Sequence, residues 1–224
     1  MNWLAAQIGY AICHQMPGRT LHYGGRALPV CARDTGLFFG FALAFVALLA
    51  VYGRGGGRRP SRGITAVLAA LVLPMAVDAL TSYAGWRETT NFIRLFTGAL
   101  AGTAAGALVF PLACEQAFSE RASRVVLARM RSVFLLLAAP VSLSLVLAAG
   151  WPGATYPLWA ALLVISILLT LLVLNYTLVS LVVEQLPSRS PAPGPVAIAA
   201  LAAAAVVFEL VASNRLHWLV DRVL

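Results

Sequence analysis

Lysine is missing from this 224-residue chain, whose sixteen basic side chains are all arginine. Acidic charge is scarce as well: Asp and Glu number eight, and charged residues make up only 11% of the sequence. Soluble domains carry about 25% charged residues, so this scarcity excludes an ordinary water-soluble fold. Several catalytic signatures are also missing. There is no Ser-His-Asp order, no zinc-protease helix, no phosphate-binding glycine loop and no c-type haem motif. The N-terminus "MNWLAAQIGYAI" has neither a basic leader nor a small-residue cleavage site, so no removable signal peptide is expected.

What fills the chain is apolar: hydrophobic residues reach 61% and the mean hydropathy is +0.87. Apolar runs long enough to cross a bilayer recur, which predicts an all-α polytopic integral membrane protein. Six spans are expected, at 35–52, 64–84, 91–114, 133–150, 156–183 and 195–212. They form one transmembrane domain over 35–224, preceded by an extracytoplasmic or interfacial cap over 1–34. Only 12 residues precede Cys13, too few to span, so the first segment is expected to lie on the membrane or re-enter it. "GALAGTAAG" repeats small residues every fourth position at Gly98, Gly102 and Gly106, a helix-crossing signal.

The net charge of +8 falls mostly in short loops. In a soluble protein it would suggest nucleic acid; here it sets topology and meets lipid headgroups, so no nucleic-acid partner is expected. "GRGGGRRPSRG" and "EQAFSERASRVVLARMRS" are arginine-rich loops on one side, which the positive-inside rule makes cytoplasmic. The proline-rich 186–195 connection joins them there. The cap, "GWRETT", "WPGATYP" and the C-terminal "SNRLHWLVDRVL" then face outward, as do all five tryptophans. The expected setting is the inner membrane of a bacterium. Membrane lipids are the expected partners, with other membrane subunits or a second copy of the chain as further candidates.

This orientation gathers the unusual polar residues of the first hundred at one leaflet. Charge inside a span costs about 2.5–3.5 kcal/mol on insertion scales and flags function. Asp78 and Arg94 lie at similar depth on consecutive helices and are expected to pair, with Asp78 a candidate base or ligand. Arg94, Asn91, Arg19 and Gln15 are candidate binders of an anionic group, and His14 is a second candidate catalytic residue. Asn175 and Glu209 are read as helix-pairing groups. Cys13 and Cys31 share the oxidising side, so a disulfide is one reading. A metal site, zinc in class, is the other, with Cys13, His14, Cys31 and Asp34 as donors and His22 in reserve. Pro17-Gly18 and Gly24-Gly25 allow the chain to fold back between the two cysteines.

Four ordered segments, "CHQMPGRTL", "GGRALPVCARDTGLFFG", "DALTSYAG" and "TTNFIRLFTGALAG", resemble the predicted membrane proteins grouped as domain of unknown function 2085. The resemblance covers roughly residues 10 to 106. Its pattern falls on Cys13, His14, Gln15, Arg19, Cys31, Thr35, Gly36, Asp78, Asn91, Arg94, Thr97 and Gly98. The chain departs at Asp34, where the resemblance implies a second paired cysteine. Asp can stand in for Cys as a metal donor but not in dithiol redox chemistry. The resemblance implies no activity. Two functional classes therefore stand side by side. One is an outer-leaflet site that binds or processes a lipid-linked or amphiphilic anion, whether or not as an enzyme. The other is a non-catalytic subunit or transporter component whose polar residues are structural.

Overall fold

The computed structural model of the protein describes residues 3–118, 123–185 and 193–223. Arg121 and residues 186–192 of the proline-rich connection lie outside the described residues. Helix α1 (Trp3–Ile12) leads through a single 3-10 turn at Pro17–Arg19 into a hairpin of β1 (Thr20–Tyr23) and β2 (Arg26–Cys31). The helices α2 (Ala32–Tyr52), α3 (Arg62–Ala70), α4 (Leu73–Tyr83) and α5 (Asn91–Ala117) follow. The chain ends with α6 (Met130–Ala148), α7 (Tyr156–Gln185) and α8 (Pro195–Val223).

Among the described residues, six stretches are long and apolar enough to cross a membrane: Ala32–Gly55, Arg62–Tyr83, Asn91–Ala117, Met130–Ala148, Gly153–Gln185 and Pro195–Val220. The six expected spans all appear, each longer than anticipated. The second is two helices, because Pro74 lacks an N–H for the carbonyl four residues back, and its ring displaces that carbonyl. Helix α3 accordingly stops at Ala70 and α4 starts afresh with Pro74 in its first turn.

Helix α5 is the central element: 67% of its spanning window is buried inside the protein, against 11–39% for the other five. Its glycines allow this. A Cβ on Gly98, Gly102 or Gly106 would lie 2.1, 2.0 or 2.8 Å from a carbonyl oxygen of α2. From the other side, a Cβ on Gly36 or Gly40 would lie 2.1 or 2.5 Å from carbonyl oxygens of α5. The two backbones touch directly, the arrangement that small residues at four-residue spacing permit.

The cap differs from the expectation in two ways. It contains β-structure, a hairpin whose tight turn places Gly24 and Gly25 at φ +57° and +76°. Glycine reaches this left-handed region without the steric cost that a side chain adds. The cap is also no separate layer. Tyr23, Leu28 and Val30 are buried in the same core as Phe38, Leu95 and Leu163. Tyr23 Oη donates to Leu147 O (2.8 Å) and Tyr156 Oη to Ala27 O (3.1 Å). Helix α2 begins at Ala32 and includes Arg33 and Asp34.

The last helix closes onto the first. Ser213 donates to Ala11 O, and Asn214 Nδ2 to Gln7 O and Gln7 Oε1 (both 3.0 Å). His217 Nδ1 donates to Tyr10 O (2.6 Å). Asn175 Nδ2 donates to Glu209 Oε2 (3.1 Å), the expected bond between neighbouring helices. At the opposite end the arginine loops meet. Arg124 N bonds Gly55 O (2.7 Å), Arg58 N bonds Arg124 O (3.1 Å), and Val126 N bonds Arg58 O (3.0 Å). The basic loops and the cap therefore occupy opposite ends of the bundle.

Candidate functional site

The site forms where α1, the hairpin and the first turn of α2 converge. A reversal follows Ile12, carried by Gln15 at φ +50°. The Gln15 side chain secures it, donating from Nε2 to Pro29 O (2.8 Å) and to Ala6 O (3.4 Å). Gly9 sits against the same strand: a Cβ there would lie 2.1 Å from Pro29 O. This fold-back, expected from the turn residues, brings Cys13 to Cys31. The backbone N–H of Cys31 donates to Cys13 Sγ (3.4 Å), and Cys31 Sγ donates to Asp34 Oδ2 (3.1 Å). One donor atom each from Cys13, Cys31 and Asp34 lies within 4.8 Å of the other two. Cys31 caps α2 and Asp34 lies in its first turn, where the helix dipole favours a negative side chain.

Both thiols are free in this structure, and hydrogen bonds join the two segments here. The pair is electrostatically unequal. Cys13 is drawn below the ordinary thiol range, foremost by the Cys31 thiol beside it. Cys31 is pushed up by the same pairing, by burial and by the charge of Asp34.

These groups form one wall of a cavity of about 460 Å³. The facing wall is basic and aromatic: Arg19, Arg33, Arg94 and Tyr83. Arg19 stacks over the Tyr83 ring at 5.0 Å, and Arg33 lies 5.8 Å from the same ring centre. Arg94 is 8% exposed and donates from one terminal nitrogen to Asn91 Oδ1 (3.1 Å). The buried Nε–H groups of Arg33 and Arg94 have no hydrogen-bond partner. Among the described residues, neither Arg19 nor Arg94 has a carboxylate within ion-pair distance.

Asp78 stands outside this cavity and does not pair with Arg94. It is 1% exposed and carries two other guanidiniums. Arg33 reaches Oδ2 at 2.5 Å, Arg87 reaches Oδ1 at 2.6 Å, and Thr89 donates to Oδ1 at 2.7 Å. Both oxygens are engaged, which removes Asp78 as a free base. The expected partner was displaced because Arg33, in the first turn of α2, reaches across to α4. Arg33 and Arg87 are the residues that sequence reasoning missed. The available signal was Arg33 itself, a charge of the right sign at a span's end, set aside by placing the span's start after it.

The other candidates divide. Arg19 and Arg94 line the cavity. Gln15 and Asn91 are structural: Gln15 holds the reversal, and Asn91 Nδ2 donates to Thr20 O (3.3 Å), tying α5 to β1. His14 lines the cavity, yet its ring rests on His217, centroid to centroid 4.8 Å, outside the thiol–carboxylate cluster. His22 lies on β1 with Nδ1 3.0 Å from its own strand's Thr20 O, away from the cysteines. Cys114 is a buried apolar residue at the far end of α5.

Taken together, the structure is that of a polytopic helical membrane protein with a cysteine- and arginine-lined cavity at one end of its bundle. The chain belongs to the predicted membrane protein family DUF2085, whose profile matches residues 13–108. It is 30% identical over 109 residues to an uncharacterized protein of Methanocaldococcus jannaschii, covering 49% of this chain and 68% of that one. It is 36% identical over 91 residues to an uncharacterized protein of Methanothermobacter thermautotrophicus, covering 41% of this chain and 78% of that one. Both relatives are archaeal, so they do not bear on a bacterial inner membrane. No solved structure matches the chain.

Proposed function

We propose that the cavity binds the phosphate or carboxylate group of an amphiphilic, lipid-linked molecule at the outward face of the membrane. The observation that carries this reading is the pair of buried, unpartnered Nε–H groups on Arg33 and Arg94. Buried polar hydrogens nearly always find an acceptor, and a guanidinium beside uncompensated positive charge favours an anion. Arg19, held over Tyr83, adds a third positive group to the same wall. The volume of about 460 Å³ falls within the range of about 300–1,000 Å³ typical of ligand sites. An amphiphile is favoured because the cavity opens at the end of the spans. Tyr83 is 69% exposed there, and Trp86 is 80% exposed, as interfacial aromatics are. An anionic head would enter the arginine wall while its chain stays in lipid.

Calorimetric titration of the purified protein with dodecyl phosphate, and separately with inorganic phosphate, tests this reading. Dodecyl phosphate should saturate a single site at lower concentration than inorganic phosphate. Arg94→Gln should weaken both by about ten- to a hundredfold, the loss of one charge-assisted contact. Equal affinity for the two would make the site one for free anions. Binding that Arg94→Gln leaves unchanged, or no binding at all, would return these arginines to the structural role of the accessory-subunit reading.

A further inference from the structure

The thiol–carboxylate wall of the cavity has no role in holding an anion, and its chemistry points elsewhere. We infer that Cys13, Cys31 and Asp34 form a three-ligand site for a thiophilic divalent cation of the zinc class, its open position facing the arginine wall.

The donor set fits such an ion. Two sulfurs and a carboxylate oxygen are ordinary zinc ligands, with bonds of about 2.3 Å to sulfur and 2.0–2.2 Å to oxygen. Tetrahedral coordination at those lengths needs donor separations of about 3.5–3.8 Å. The Cys31–Asp34 edge is already 3.1 Å, and no separation in the set exceeds 4.8 Å.

The scaffold under the donors is rigid. Cys13 opens a reversal pinned by Gln15, Cys31 ends a paired strand, and Asp34 lies in the first turn of the helix that packs on α5. Three separate elements thus deliver the donors, as a preorganised first shell requires. The backbone N–H of Cys31 already points at Cys13 Sγ, the kind of outer contact that steadies a bound thiolate. Two half-buried thiols with a carboxylate against one of them also make a poor apolar core. Cys114, packed among Phe110, Leu127 and other apolar residues, shows how a merely structural cysteine sits in this protein.

Binding replaces the two thiol protons by the cation and releases both to solvent. Two thiolates, one carboxylate and a dication leave a net charge of minus one, which the adjacent arginines stabilise. Three protein ligands with an open fourth position is the arrangement of sites whose metal meets water or substrate. His14 lines the same cavity and is a reserve donor, released if its ring leaves His217. The position of the open site rests on the anion reading above; the metal site itself does not.

Cobalt(II) titration into the reduced, metal-stripped full-length protein tests both points. A near-ultraviolet thiolate-to-cobalt band should saturate at one ion per chain, with two protons released, and zinc should abolish it. Cys31→Ser should lower affinity by about a hundredfold, and Asp34→Asn by about tenfold, while Cys114→Ser changes nothing. Should Cys31→Ser fail to fold, zinc displacement and Asp34→Asn still decide the matter. No charge-transfer band, or a band lost in Cys114→Ser, would overturn the site. Dodecyl phosphate added to the cobalt protein should shift the visible d–d bands in wild type and not in Arg94→Gln. A band indifferent to phosphate would sustain the metal and overturn its open position. Phosphate binding without any cobalt band would leave the anion reading standing alone.

Discussion

Asp78 carries one negative charge and meets two guanidiniums, one dry and one wet. The side chain of Arg33 is 7% exposed and that of Arg87 is 45% exposed. Removing a partner from a buried pair costs about 3–5 kcal/mol because the other charge is stranded, whereas an exposed pair contributes about 1 kcal/mol or less. Asp78→Asn should therefore lower stability by about 3–5 kcal/mol, read as the unfolding midpoint of the purified protein in detergent. Arg87→Gln should cost about 1 kcal/mol or less. Equal losses from the two substitutions would contradict the division of labour drawn here. The sequence disclosed that Asp78 must be compensated, since a carboxylate inside a span demands it. It did not disclose the partner. Helix starts are the least legible part of an apolar run, and a start placed three residues late moved Arg33 out of the span and left Arg94 as the apparent match. The convergence of Cys13, Cys31 and Asp34 was legible, because proline and glycine pairs flank a short segment between them. The turn of His14 toward His217 was not, because it depends on contact with a helix two hundred residues away.

Among the elements, the α2–α5 contact is the one whose geometry leaves no slack. A methyl group on Gly102 would lie 2.0 Å from Leu37 O, a contact that only separation of the two helices relieves. Gly102→Ala should cost about 1–3 kcal/mol, as overpacking does in other cores. Gly63, in the first turn of α3, meets nothing within 4 Å. Gly63→Ala should be neutral or stabilising by up to about 1 kcal/mol, since alanine loses less backbone entropy in a helix. Thermal unfolding of the two variants in the same detergent should give shifts of opposite sign, or one large loss beside no change. The glycine repeat on α5 was readable, because three small residues at four-residue spacing stand out in an apolar run. Its counterpart on α2, Gly36 and Gly40 in "GLFFG", is a single repeat flanked by large aromatics and reads as ordinary span. The hairpin escaped for a similar reason. Its strands are only four and six residues long, and their burial follows contacts with α7 that no local pattern announces.

Across the whole molecule, the six spans place the cap and the end of α8 together, with the arginine loops opposite. The positive-inside rule assigns the arginine end to the cytoplasm. Gly18 has open space around it and Arg59 is exposed, so both tolerate a short epitope. Antibody should reach an epitope at Gly18 from outside spheroplasts of the expressing cell, and one at Arg59 only after the membrane is opened. The reverse result would invert the molecule and place the cavity in the cytoplasmic leaflet.

The clasp between α8 and α1 sets a timetable for biogenesis. Ribosomes deliver the cap first, yet the groups that seat it, Ser213, Asn214 and His217, are made more than two hundred residues later. Throughout synthesis the cysteine segment waits without its final partner. The cap is thus clasped only when α8 is in place, although every side chain that lines the cavity is made by residue 94.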